Sequence, residues 1–203
     1  AATIVLTVGL GIGATTTIVG AINAVLVRPL PYPDSGRLVR IHTDAPSGQY
    51  PFSVADYLAL QAEHTAFAGV AGYAGRSMNF SRGDRAERLQ GRLVSWTYFA
   101  VLGLRPTLGR DFVEADGRPG SPPAVIVSHA FWTEQLNGRP EAIGSALRLD
   151  GVDYVLAGVL PPATGPLEQR QQFFAVAQWT TPPRKGSFFI TAIGRLKDGV
   201  DRS

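Results

Sequence analysis

The residues that could do chemistry are few, and their spacing does not favour it. The three histidines, His42, His64 and His129, give no i, i+4 pair and no H-E-x-x-H, so they form no zinc-type ligand set. Ser128 and His129 are neighbours, but no G-x-S-x-G elbow surrounds them, and Ser128 reads as a helix cap. Asp111, Glu114 and Asp116 are the densest carboxylates. They lack the alternating ligands, central glycine and closing glutamate of a calcium loop. They read as solvated loop charges or as acids at a short helix start. The chain has no P-loop, and no cysteine for a thiolate ligand or a disulfide. One enzyme-like motif remains: Gly9-Leu10-Gly11-Ile12-Gly13-Ala14 matches G-x-G-x-x-[G/A] after a strand-like run. A dinucleotide fold would use Gly9, Gly11 and Ala14 and would need an acid about 20 residues later, at a strand end. Asp34 is near that distance but lies in a proline-rich turn, and Asp44 ends a strand-like run too far along. The sequence therefore predicts no catalytic residue, no metal site and no cofactor. An NAD(P)-dependent Rossmann oxidoreductase is the alternative this motif keeps open.

The same motif lies inside a longer feature. Residues 1–27 carry no charged side chain. As a helix rising about 1.5 Å per residue they reach roughly 40 Å, enough to cross a hydrocarbon core of about 30 Å. Gly9, Gly13, Thr17 and Ala21 recur every four positions, a small-residue seam that suits close packing against another membrane helix. A secretory signal peptide would instead want a charged n-region and a shorter apolar core. The helix ends at Arg28-Pro29-Leu30-Pro31-Tyr32-Pro33, where closely spaced prolines cannot continue it. The expected organisation is a transmembrane helix at 1–27, a proline-rich exit linker at 28–36, and a folded domain at 37–203 that is truncated at its C-terminus. A secreted or anchored binding domain is a further alternative.

Composition supports a folded, loop-rich domain: 45% hydrophobic, 17% charged, with Gly 23 and Pro 15. The 19 basic and 16 acidic residues leave a net charge of only +3, and no basic run is long enough to mark a nucleic-acid partner. Trp96, Tyr98 and Phe99 near Arg92 read as a packing edge, not a base-stacking platform. Strands are predicted at 38–43, 70–80, 86–94, 124–127, 146–149, 152–160, 173–179 and 187–196. Helices are predicted at 54–64 with Ser53 as cap, 96–102 with Ser95 as cap and Gly103 as stop, and 129–136 with Asn137-Gly138 as stop. Asp150-Gly151 is the strongest hairpin signal. Arg82-Gly83-Asp84 spells an adhesion tripeptide but is most simply a turn between strands.

Several stretches together resemble a family. Gly11 to Ala14, then Ala24 to Pro33, are similar to the start of MacB/FtsX-type ABC-transporter permeases, most of all the duplicated orphan subgroup called ADOP. Val101-Leu102-Gly103-Leu104-Arg105-Pro106, Leu108-Gly109-Arg110-Asp111-Phe112 and Pro123-Ala124-Val125-Ile126-Val127-Ser128 continue the likeness. So do Leu147-Arg148-Leu149-Asp150-Gly151, Tyr154 to Pro162 and Gly194-Arg195-Leu196-Lys197-Asp198-Gly199-Val200, with Asp198 where the family usually places proline. The resemblance implies an α+β fold: a first membrane helix, then a two-lobed periplasmic core domain with a porter-like βαβ lobe and a β-rich lobe. It implies a non-catalytic part of an efflux or extraction machine in the bacterial inner membrane, with the domain in the periplasm. Implied partners are the permease's other transmembrane helices, membrane lipid and a cytoplasmic ATP-binding subunit, with room for a periplasmic adaptor. Arg28, Arg37 and Arg40 taken alone would favour a cytoplasmic flank, but large domains translocate regardless of nearby charge. The site residues expected on this reading are the helix seam Gly9, Gly13, Thr17 and Ala21. With them goes a stiff coupling linker of Arg28, Pro29, Pro31 and Pro33.

Overall fold

The computed structural model describes residues 30–45, 48–82, 85–183 and 186–200. The expected membrane helix, its small-residue seam, Arg28 and Pro29 lie outside them. Among the described residues no helix is long and apolar enough to cross a membrane. By contacts the chain divides into Ala1–Leu30 and Pro31–Ser203. In the latter the elements run β1 Leu38–Ile41, β2 Thr43–Ala45, β3 Gly48–Tyr50, α1 Val54–Glu63, β4 Phe67–Arg82, β5 Arg85–Val94 and α2 Tyr98–Leu102. They continue as β6 Leu108–Gly109, β7 Ala124–Val127, α3 His129–Gln135, β8 Ala146–Leu149, β9 Val152–Val159, β10 Phe173–Val176 and β11 Thr191–Leu196.

Two runs without a polar side chain, Ala-Val-Ile-Val in β7 and Phe-Phe-Ala-Val in β10, are buried at every position. That is the pattern of strands covered on both faces. They lie at the centre of a sheet ordered β1-β11-β4-β5-β10-β7-β9-β6. β7 leads through α3 and β8 into β9, which pairs parallel to it, giving the expected βαβ unit. The 16-residue β4 pairs with β11 through its first half and with β5 through its second. Near its far end Phe80 meets Leu149 of β8. Since β8 also pairs β9, the pairings β4-β5-β10-β7-β9-β8 return to β4. β4 thus belongs to both halves of a single sheet.

Alternating side chains of β7 and β10 feed two cores. Ile126 and Phe174 face a cluster built with Tyr98, Phe99 and Leu102 of α2. Val125 and Phe173 face a second cluster with Phe80, Leu149, and Phe131 of α3. A smaller cluster forms under α1 around Tyr57, whose ring presses on Gly72 so closely that a Cβ there would collide with it.

Local chemistry explains most boundaries. Ser53 and Ser128 cap α1 and α3, each hydroxyl oxygen accepting from the third following amide at 3.2 Å. Gly103 stops α2 at φ 73°, and Asp150-Gly151 turn at φ 48° and 79° as a type I′ hairpin requires. Asp150 also accepts from the Asn79 amide at 2.8 Å, which fastens that hairpin to β4. Three expectations are corrected. Ser95 does not cap α2: its hydroxyl oxygen accepts from Gly72 N–H instead, and Thr97 occupies the cap position. The strand predicted at 187–196 begins only at Thr191, because the backbone at Phe189 and Ile190 bonds to Phe52 instead of joining the ladder with β4. The strand predicted at 38–43 breaks at His42, and β2 turns into a separate hairpin with β3.

Candidate functional site

Of the expected linker residues, Pro31 and Pro33 lie among those described, both exposed. Between them Tyr32 turns inward and is only 5% exposed. Pro31 and Pro33 fix their own φ, and Pro33 keeps Tyr32 out of the helical region, which narrows the backbone paths that lead to the ring. It enters a slot against Gly165, where a Cβ would strike the phenol ring. The Tyr32 hydroxyl donates to Glu168 Oε2 at 2.7 Å and accepts from the Leu167 amide at 3.1 Å. On the other side, the Tyr98 hydroxyl donates to Glu168 Oε1 at 2.9 Å and accepts from Arg92 Nη1 at 3.0 Å. The Arg92 guanidinium lies over the Tyr73 ring, 4.4 Å from its centroid.

Glu168 is 1% exposed, and both of its carboxylate oxygens accept from phenols. Burial pushes its acid upward, opposed by the two phenol hydrogen bonds and by the Arg92 charge. Burial, and then the charge on Glu168, raise both phenols well above the ordinary tyrosine value, so Tyr32 and Tyr98 stay neutral donors. Each phenol oxygen already accepts from an N–H, so each O–H is directed at the carboxylate. Such chains of charge-assisted bonds are stronger than isolated neutral ones.

A second set of ties binds the start of the domain to its end. Leu38 pairs with Arg195 in the antiparallel β1–β11 ladder. Arg37 donates through Nε to the Leu196 carbonyl at 2.8 Å, through Nη2 to the same oxygen, and forms an ion pair with Asp198. Arg195 donates to the Val101 carbonyl at the end of α2 at 2.7 Å and reaches the Asp34 carbonyl at 3.4 Å. Pro33 packs onto Gly103, where a Cβ would meet the proline ring at 3.2–3.3 Å. Residues 31–38 and 194–198 therefore lie side by side, fastened to α2 and to the Glu168 loop.

The remaining candidates do not converge. Asp116 takes a bidentate pair from Arg110, at 2.6 and 2.9 Å, and accepts from the Val113 amide. Burial raises its acid, but the Arg110 and amide bonds outweigh that and leave it below the ordinary value. Glu114 pairs with Arg118, while Asp111 accepts from the Phe112 amide and is raised by burial to about 6 against the pull of Arg105 and Arg110. Among the described residues no three His, Asp or Glu side chains are grouped to hold a metal. Ser128 is occupied as a cap, Asp34 is a turn residue at φ 48°, and Asp44 lies in the β2–β3 hairpin. Gly9, Gly11 and Ala14 lie outside the described residues.

The family model for the MacB-like periplasmic core domain matches residues 1–203. The chain belongs to that family. It is the periplasmic-type domain of a MacB/FtsX-like ABC-transporter permease. In fold it is similar to the periplasmic region of MacB from Actinobacillus actinomycetemcomitans, with a TM-score of 0.60 at 12% identity, covering 81% of this chain and 76% of that one. It is also similar to the extracellular domain of the noncanonic ABC-type transporter YknZ from Gram-positive bacteria, with a TM-score of 0.55 at 18% identity, covering 80% and 83%. No curated protein sequence matches the chain. In this MacB-like domain, Tyr32, Glu168 and Arg195 are the junction residues that sequence reasoning missed. The one signal for them was an aromatic between two prolines, a poor choice for a purely solvated linker.

Proposed function

We propose that the domain is a non-catalytic relay: ATP-driven movement of membrane helices enters it at residues 31–38 and is passed to a substrate or partner outside the cytoplasmic membrane. The observation that carries this is the joining of the first strand to the last one described, where Arg37 holds the Leu196 carbonyl and Asp198 while Leu38 pairs with Arg195. A displacement applied at that end reaches two neighbouring strands of the main sheet at once. On this reading residues 1–27 are the first transmembrane helix in the bacterial inner membrane. Gly9, Gly13, Thr17 and Ala21 seat it against the permease's other helices and lipid, and 37–203 is the core domain on the periplasmic side. A cytoplasmic ATP-binding subunit supplies the motion, and a periplasmic adaptor is a candidate recipient. Arg28, Pro29, Pro31 and Pro33 stiffen the link, since closely spaced prolines bend less than a flexible chain.

The test needs no known substrate. In the reconstituted full-length permease with its ATPase, amide exchange at 32–38 and 194–200 should change when vanadate traps the nucleotide. Replacing Pro29, Pro31 and Pro33 with glycine should leave ATP turnover intact and abolish that response. Identical exchange with and without trapped nucleotide in the unmodified protein would overturn the relay.

A further inference from the structure

The linker is not tied to the domain by its prolines alone. Tyr32 is the one residue of the 31–34 stretch whose side chain is buried, and its hydroxyl closes a path from the Leu167 amide to the Glu168 carboxylate. Glu168 sits in a tight turn whose amides bond back to the Gly165 carbonyl, at 3.0 Å from Glu168 and 3.2 Å from Gln169. Gly165 is required there because the Tyr32 ring fills the space a Cβ would occupy. The Gln171 amide donates to the Glu168 carbonyl, and Gln172 binds Gln90 of β5 from both its amide and its side chain. The slot is thus wired to the central strands on one side, through 172 and β10, and to α2 on the other, through Tyr98.

We propose that Tyr32 is a releasable latch: seated on Glu168, it makes the strap of residues 31–38 move as one piece with the Glu168 loop, and unseated, it lets the strap and β11 move without that loop. This deepens the relay reading and rests on it. The chemistry favours an all-or-none step. Withdrawing the phenol removes one of the two hydrogen-bond donors to a buried carboxylate and leaves the Leu167 amide without its acceptor. A partial withdrawal loses both bonds without admitting enough water to replace them. The slot therefore resists small displacements and yields to large ones. Tyr32 is a positioning residue in this scheme; it touches no substrate.

Tyr32→Phe keeps the ring that fills the slot and removes only the hydroxyl. In the full-length permease without nucleotide, it should speed amide exchange at Leu167 and at Arg37 by about tenfold, while β7 amides at 125–127 stay unchanged. Glu168→Gln, which keeps one acceptor oxygen, should give a smaller increase at the same amides. On vanadate trapping, Tyr32→Phe should leave the exchange response at the strap and at β11, which Arg37 and Leu38 still join, and lose it in the Glu168 loop at 168–172. Unchanged exchange at Leu167 and Arg37 in Tyr32→Phe would overturn the latch, as would an equal rise at 125–127, which marks general loosening. If the unmodified protein gives no nucleotide response at all, the relay fails, and the exchange measured without nucleotide still decides whether Tyr32 holds the strap.

Discussion

The two faces of the central sheet are built from the same strands and differ in what they bury. The face under α3 is packed with Phe80, Leu89, Leu149, Leu156, Phe173 and their neighbours, all apolar. The face under α2 is equally apolar in β7 and β10, yet takes in the Glu168 carboxylate with its two phenols. The buried polar side chains among the described residues are Ser53, Ser95, Asp116 and Glu168, and each bonds away from the α3 face. An apolar core loses stability smoothly as contacts are removed, whereas a buried polar network depends on each partner being in place. The α3 face suits a part that must not deform. The α2 face suits one whose state can be set by a single residue arriving from outside the sheet.

The contrast between the faces is tested hardest at Phe173. Its ring is fully buried and lies where Gly91 of β5 has no room for a Cβ. Phe173→Ala should cost about 3–5 kcal/mol, the range for emptying a large aromatic from a packed core. Urea unfolding followed by circular dichroism would measure it. The exchange rates at the Tyr32 junction should follow global stability in this variant and show no local excess. A local rise at Leu167 would mean that the two faces are not mechanically distinct.

Glu168→Leu sharpens the contrast from the other side. Leucine fits the apolar surroundings but leaves two buried phenol O–H groups without acceptors. Each such loss costs about 1–3 kcal/mol. Relief of the buried charge offsets part of this, because burial already holds the Glu168 acid above its ordinary value. The net destabilisation should be about 2 kcal/mol by the same unfolding measurement, smaller than that of Phe173→Ala. Unlike Phe173→Ala, it should free the strap amides selectively. A stability loss matching Phe173→Ala with uniform exchange would make Glu168 simply another core residue.

Most of the fold was legible because its signals are local. The hydrophobic run of β7, the Ser53 and Ser128 caps, the Gly103 stop and the Asp150-Gly151 turn each lie within a few residues of the structure they determine. The length of β4 was underestimated at both ends, since its pattern changes where its partner changes from β11 to β5. Phe188 and Phe189 looked like strand because aromatics favour strands, but they carry no ladder partner on the main sheet. The junction was the least legible part. Tyr32 and Glu168 are 136 residues apart, and a lone glutamate in a Gln-rich loop has no local sign of burial. Proline spacing pointed to the linker but could not show that the residue between the prolines makes the attachment.

The smallest expected effect separates two acids near the α2 face by the sign of their pH dependence. Asp111 is raised to about 6, mainly by burial, and its Oδ1 accepts from the Phe112 amide. Asp116 is lowered because the Arg110 and Val113 bonds outweigh its burial. A carboxylate with a raised folded value binds its proton more tightly when folded. Asp111 therefore penalises the fold above about 6, and the penalty fades as pH falls toward the unfolded value of 3.8. Asparagine keeps the oxygen that serves Phe112 and removes the charge. Asp111→Asn should thus stabilise the domain by about 1 kcal/mol near pH 7.5, after allowing for solvent screening of a partly exposed group, and by almost nothing near pH 4. Asp116→Asn should do the reverse: it should destabilise at neutral pH, with the gap closing only as acid protonates Asp116 below 3.8. Thermal unfolding of the three proteins across this range gives both signs. If Asp111→Asn were destabilising at pH 7.5, the attraction of Arg105 and Arg110 would outweigh the burial of the Asp111 carboxylate, and Asp111 would be a structural tie like Asp116.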